Sequence, residues 1–377
     1  MKKQHIIKLL LLGIVISAHS LSSLFAGELF KSDSHPFRVE KLVGGLQQPW
    51  GFDFLPDQQI IVTEKKGTVK LFNPSTAQLT KVKGEPNSVV HGQGGLLDVL
   101  VHPDFSDNSL IYFTFTEPRQ SKYGTSVYRA KLSGRSLIDG KVIFRGKPES
   151  LARHHFGSRI RMGGDGMLYI SHGDRGDSAR AQKNGDHAGK IIRLSPTGEI
   201  PADNPFREDT NYAPEIYSLG HRNPQGMAVH PLTGQIWINE HGAMGGDEIN
   251  VIQAGKNYGW PVISYGLNYN GSKIGIGSQK KGMEQPFYYW DPSIAPSGMT
   301  FYSGKKFSQW ANNLFVGSLK FGLIVRLEIK GNKVIKEERL LNNAFGRIRD
   351  VKESPDGGIM FINDDSSGGL FLITPAN

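Results

Sequence analysis

The sequence predicts an all-β protein, a six-bladed β-propeller of four-stranded antiparallel blades, and three observations carry that reading. One strand–turn–strand pattern recurs six times along the 377 residues. Its copies begin roughly 45 to 75 residues apart, which leaves room for two more strands and their loops, the size of a propeller blade. The 46 glycines and 20 prolines, with little helical periodicity, suit many short strands joined by turns. A β-sandwich with coincidental turns is the competing architecture.

The six hairpins can be justified in order. Residues 51–64 turn at Pro56-Asp57, residues 96–117 at His102-Pro103-Asp104, and residues 159–174 at Gly164-Asp165-Gly166. Residues 225–242 turn at Pro231 to Gly234, residues 297–320 at Ser303-Gly304, and residues 349–365 at Pro355-Asp356-Gly357. Each turn has a mechanism, because proline presets φ while glycine and aspartate tolerate the positive φ of a tight reversal.

Composition narrows the function classes. With 38% hydrophobic and 21% charged residues the chain is an ordinary globular protein with a large core. Lys2 and Lys3, followed by a mainly apolar run over residues 6–26, have the charged and apolar regions of a secretory signal. Ser17, His19, Ser20, Ser22 and Ser23 dilute that run below the length of a spanning helix. Residues 1–26 are therefore read as a signal peptide cleaved after Ala26, and residues 27–377 as a single propeller domain exported to a bacterial periplasm without stable membrane insertion. The chain has no cysteine, which excludes disulfides and thiol catalysis. A formal charge of +9 falls to about +6 once Lys2, Lys3 and Lys8 leave with the leader. Without a Lys/Arg block interleaved with aromatics, that excess points to an acidic small ligand and away from nucleic acid.

In an antiparallel hairpin the residue entering the first strand lies beside the residue leaving the second. Entries and exits must therefore share one face. The entries carry Trp50, Gln93, His155, Arg222, Asn223, Arg347 and Arg349, and the exits carry Glu64, Asp174, Gly242, Lys320 and Asp364. If these hairpins are the inner strands, all of them ring one mouth of the central channel. His155 is then a general-base candidate with Asp174 as its carboxylate partner, although His154 competes for that role. Arg222, Lys320, Arg347 and Arg349 would surround the opening with positive charge suited to carboxylate or phosphate. Surface pairing with Asp350 or Asp364 is the plainer fate of any one of them. The glycine-rich loop over residues 242–248 offers main-chain carbonyls to a hard cation such as Ca²⁺, while the several histidines leave a zinc or iron site open. Trp50, Trp260 and Trp290 are candidates for stacking on a planar ligand, or else core packing.

At these residues the sequence resembles the soluble quinoprotein glucose and aldose sugar dehydrogenase family. The matching runs include His91-Gly92-Gln93-Gly94-Gly95-Leu96, His154-His155-Phe156-Gly157-Ser158-Arg159, and Gly173-Asp174-Arg175-Gly176. Gly220-His221-Arg222-Asn223-Pro224-Gln225-Gly226 is the most specific, and Asn239-Glu240-His241-Gly242, Gly255-Lys256-Asn257-Tyr258-Gly259-Trp260-Pro261 and Arg347-Ile348-Arg349-Asp350 continue the likeness. It spans nearly the whole mature chain.

The resemblance implies a six-bladed propeller that uses pyrroloquinoline quinone (PQQ) and calcium to oxidise aldoses at C1. It makes His155 the base for the C1 hydroxyl proton, oriented by Asp174, with Gln93 and Arg222 at the reacting centre. Asn223, Lys320, Arg347 and Arg349 would hold the carboxylates of PQQ, and Trp290 would border the substrate. The carbonyls of Gly242 and Ala243 would hold the calcium bound with PQQ, and a second, structural calcium is implied at Glu248 and Tyr258. An aldose and an electron acceptor of unknown identity are the implied partners, with a monomer or a homodimer as the assembly. A calcium-dependent lactone or ester hydrolase and a non-catalytic ligand-binding propeller remain the rival functions.

Overall fold

Six antiparallel sheets follow one another around a central channel in the computed structural model, which describes residues 27–376. The expected leader over residues 1–26 lies outside them. The inner hairpins are Pro49–Phe54 with Ile60–Glu64, Leu96–Val101 with Leu110–Arg119, and Ile160–Met162 with Leu168–His172. Pro224–Val229 with Ile236–Glu240, Pro296–Phe301 with Leu314–Ser318, and Ile348–Glu353 with Ile359–Asn363 complete the ring. These are the six repeats expected from the sequence, so the propeller is the fold and the sandwich is not.

Closure of the ring uses both ends of the chain. Phe37–Leu46 pairs antiparallel with Gly368–Pro375 and becomes the outer strand of blade 6, the blade that opens with Ile348. Glu28–Phe30 adds a fifth strand beyond it. A paired edge no longer offers free backbone groups, so the N-terminal segment protects this blade from edge-to-edge association.

Strands such as Ile60–Glu64 and Leu96–Val101 are buried along their whole length because each blade is covered on both faces by its neighbours. Each of the six blade interfaces has its own apolar cluster. Val99, Phe113 and Leu71 pack between blades 1 and 2. Phe37, Trp310, Phe315 and Phe361 pack between blades 5 and 6. Repeated clusters make each blade dependent on two neighbours, so the ring stabilises itself all the way round.

Five of the six inner hairpins carry a register shift at their mouth end, between Pro49 and Gly51, Leu96 and Val99, Pro224 and Gly226, Pro296 and Met299, and Ile348 and Asp350. A bulge leaves a residue unpaired and re-aims its side chain. The residues within these shifts include Trp50, Leu97, Asp98, Gln225 and Arg349, all of which face the channel or its mouth.

Across the channel below the mouth stretches Arg159, fully buried. Its Nη1 lies 3.2 Å from Asp98 Oδ1 of blade 2 and 3.1 Å from Asp350 Oδ2 of blade 6. Nε donates to the Gln225 carbonyl of blade 4 at 2.6 Å, and Nη2 to the Arg349 carbonyl at 2.9 Å. The guanidinium also sits 4.2 Å over the ring of Trp50 in blade 1. Five blades thus meet on one side chain. Burial opposes ionisation of Asp98, but Arg161 and Arg159 outweigh it and hold its carboxyl below the usual range.

Replacing Arg159 by alanine would leave two buried carboxyl groups facing each other with one cation removed. A loss of about 3–5 kcal/mol is expected from breaking a buried pair in this way. Urea unfolding measures it; an unchanged midpoint would show that the channel does not depend on this contact.

Candidate active site

The mouth above Arg159 holds a cavity of about 480 Å³. Its apolar floor is the cluster of Trp50, Leu97 and Phe156. Both aromatic rings are backed by buried guanidinium groups, Trp50 by Arg159 and Phe156 by Arg175 at 3.3 Å. Arg175 also donates to the carbonyls of Ala152 at 2.6 Å and His154 at 3.1 Å, fixing the loop that carries the general-base candidate.

His155 adopts a left-handed backbone conformation, φ 55°, which is uncommon outside glycine and swings the residue out of the strand direction. The neighbouring strand exit at Gly173 makes room, since a Cβ there would meet the His155 carbonyl at 2.3 Å. The result is a contact of 2.7 Å between His155 Nδ1 and Asp174 Oδ1. Asp174 Oδ1 also accepts from the Gly176 amide at 2.7 Å, and Oδ2 from the Trp260 indole at 2.8 Å. With the carboxylate ionised, Nδ1 carries the imidazole proton and Nε2 is a free base.

Burial is the largest influence on His155 and lowers its pKa; Asp174 opposes this, while Arg222 and His154 push it down further. The net shift is downward, so the imidazole is neutral at pH 7. Burial works against ionisation of Asp174, yet the His155 contact holds its carboxyl below the ordinary range. The pair is thus a poised base with a charged orienting partner.

Positive charge gathers on the opposite wall. Arg349 Nη2 is 2.6 Å and Arg347 Nη2 3.3 Å from the same oxygen, Asp364 Oδ2. Lys65, also on the cavity wall, has its pKa lowered by burial and by these two arginines, against the pull of Asp364. Two arginines therefore share one carboxylate, and Lys65 adds a third positive charge to the same wall. Arg222, stacked 5.2 Å from the Trp260 ring, has no carboxylate partner among the described residues. Its Nη1 instead donates to the Gly242 carbonyl at 2.5 Å, and the buried Nε atoms of Arg222 and Arg349 have no partner. An anionic planar ligand fits this wall and this aromatic floor, supplying the missing acceptors.

The remaining sequence candidates divide. Gln93 accepts the His155 amide at 2.9 Å and lines the cavity, as does Asn223, which accepts the Gly157 amide at 3.2 Å. Gly242 and Ala243 lie next to His241, a cavity residue whose ring burial has pushed to a pKa of about 4 and whose Nε2 donates to the Pro296 carbonyl at 2.7 Å. Lys320 is exposed, 5.0 Å from the Phe321 ring and beside the cavity residue Leu319. Glu248 is half-buried in the third strand of blade 4, where desolvation first and Glu240 next push its carboxyl up to about 8. The Tyr258 phenol donates to the Val251 carbonyl at 2.6 Å. No cluster of three or more His, Asp or Glu side chains arranged for a metal occurs among the described residues. Trp290 does not border the cavity: its ring is buried between blades 4 and 5 and its indole donates to Glu337 at 2.8 Å. The tryptophan that touches the His155–Asp174 pair, through Asp174, is Trp260. Lys65 was missed by the sequence reading, one residue beyond the hairpin exit at Glu64.

A profile of the Glucose / Sorbosone dehydrogenase family matches residues 46–372. The chain belongs to this family. It is 41% identical to the aldose sugar dehydrogenase YliI of Escherichia coli K12, over 90% of this chain and 93% of the relative. The crystal structure of the soluble aldose sugar dehydrogenase from Escherichia coli in its apo-form superposes with a TM-score of 0.87 at 41% identity, covering 90% of this chain and all of that one. The PQQ-bound form of an aldose sugar dehydrogenase from Streptomyces coelicolor superposes at 0.74 with 26% identity, covering 89% of this chain and 98% of that one. As a member of the glucose/sorbosone dehydrogenase family, this chain places the family's propeller and the charged mouth in one frame.

Because His155 is held neutral, the acidic limb of kcat/KM is expected to lie below the ordinary histidine value of about 6.5. In Asp174→Asn it should move lower still, since the carboxylate that favours the imidazolium is gone, and kcat should fall about 10²- to 10⁴-fold. A limb that moves upward would contradict the electrostatic assignment.

Proposed function

We propose that this chain is a periplasmic PQQ-dependent aldose dehydrogenase, oxidising an aldose at C1 to the lactone. The observation that carries the reading is the His155–Asp174 pair, braced by Trp260 and joined through Gln93 and Phe156 to a cavity with an aromatic floor and a cationic wall. Family membership and the PQQ-bound relative support it.

His155 Nε2 takes the proton of the C1 hydroxyl, and Asp174 stabilises the imidazolium that results. PQQ, when bound, supplies the acceptor for the hydride leaving C1. Gln93 and Arg222 hold the reacting centre. Asn223, Lys320, Arg347 and Arg349, joined by Lys65, hold the cofactor's carboxylates, and Asp364 keeps the two arginines aimed while leaving their charge in excess. Trp50 and Phe156 exclude water from the floor. The carbonyls of Gly242 and Ala243 would hold calcium, and Glu248 with Tyr258 is the candidate second calcium site. The Gly242 carbonyl accepts from the Arg222 guanidinium, so a cation would fit there only if that guanidinium turned aside and an anion beside it balanced both charges. That requirement is met by a carboxylate cofactor.

His155→Ala should lower kcat by at least about 10²-fold while leaving PQQ binding intact, because the ring acts on the sugar proton. Steady-state dye reduction alongside a PQQ titration checks both. Undiminished turnover would remove the base assignment, and aldose-independent lactone hydrolysis abolished by chelator would favour a hydrolase instead.

A further inference from the structure

The segment between the third and fourth strands of blade 4, residues 252–287, folds back over the rim of the mouth. Met244 and Leu267 exchange two backbone hydrogen bonds of 2.9 Å, and Tyr265 stacks on Tyr289 at 4.0 Å. This anchors a face on which Met244, Leu267, Tyr269, Ile276 and Tyr289 are all exposed, Ile276 to 61% and Tyr269 to 76%. Exposed apolar groups concentrated on one anchored segment are of the kind that marks an interaction site. Lys273, Lys280 and Lys281 fringe it, exposed and without a carboxylate partner among the described residues. The nearby acid Glu284 is already paired with Lys256 at 3.1 Å, and exposed Asp291 adds a single carboxylate beside Gly245 against these three lysines.

The patch sits next to the site. Met244 follows Gly242 by two residues, at most about 8 Å between their Cα atoms, and the Gly242 carbonyl touches Arg222. An apolar centre with a charged rim is the anatomy of a protein interface. A carbohydrate platform would need open aromatic faces and hydroxyl partners, whereas Tyr265 and Tyr289 cover each other and three of the five exposed groups are aliphatic or thioether.

Resting on the dehydrogenase reading, we propose that this face docks an acidic one-electron carrier protein, of haem or copper type, that reoxidises the site. Oxidation of one aldose to its lactone deposits a hydride and a proton, that is two electrons and two protons. Two successive dockings remove one electron each, the carrier's metal being reduced each time, and both protons pass to solvent. The lysine fringe selects a carrier with a negative rim, and the apolar centre seats it beside the mouth.

The test compares two acceptors on the PQQ- and calcium-loaded enzyme, an uncharged redox dye and an acidic c-type cytochrome. Wild type should reduce both, with the cytochrome rate falling at least about tenfold between low and high salt. The Lys273→Glu, Lys280→Glu, Lys281→Glu triple variant should keep dye reduction and lose about tenfold or more in kcat/KM for the cytochrome, and Ile276→Ser should weaken the cytochrome reaction alone. Dye reduction with no cytochrome reduction, or cytochrome rates unchanged in the triple variant, would overturn the docking proposal while leaving the dehydrogenase intact. So would a polysaccharide that binds this face without affecting cytochrome reduction. Absence of dye reduction in wild type would sink the dehydrogenase reading, and the docking proposal with it.

Discussion

One guanidinium at the centre of the ring is the contact on which the rest of the structure depends. Arg159 is fully buried, and a buried charge is tolerated only when it is paired and its donors are satisfied. Blades 1, 2, 4 and 6 supply the partners, as ring face, carboxylates and carbonyls. Moving any one of these blades outward would strip a donor or a charge, so the channel diameter is fixed electrostatically as well as by the apolar interfaces. The same side chain backs Trp50, and through it the floor of the active cavity.

The mouth is built by imbalance. Below, Arg159 and Arg161 face Asp98 and Asp350, and Lys352 pairs with Asp53 at 2.9 Å, so cations and carboxylates alternate. Above, among the described residues, Arg347 and Arg349 have Asp364 as their one carboxylate, Lys65 lies beside them without an ion pair, and Arg222 rests on carbonyls. A site in low dielectric with excess positive charge and unpaired guanidinium nitrogens is costly until an anion arrives, which is how ligand binding and site organisation become coupled. The base stands apart from this wall. His155 is kept neutral by burial and kept oriented by a carboxylate whose other oxygen is occupied by Trp260.

Much of this was legible in the sequence because it is local. Each inner hairpin is two apolar stretches around a turn, and antiparallel pairing alone brings the entry residues to the exits, which is why the sequence by itself puts His155 beside Asp174. The bulges were not legible: they depend on how each inner strand meets its neighbours, yet they aim Trp50, Leu97, Gln225 and Arg349. The role of Arg159 was hidden for the same reason, since its contact to the Arg349 carbonyl spans 190 residues. The two tryptophans show the limit most clearly. Trp260 and Trp290 both lie in blade 4, but only the path of the long loop decides that the first reaches Asp174 while the second is sealed against blade 5.

The proposed function requires the mouth to hold a planar polyanion that accepts hydride from a sugar. The direct test is to titrate PQQ with Ca²⁺ into the purified protein and follow the quinone absorbance before and after adding an aldose. Saturable binding at micromolar PQQ, followed by bleaching that requires the sugar, is the predicted result. Absence of binding at that concentration, or binding that no aldose bleaches, would contradict it.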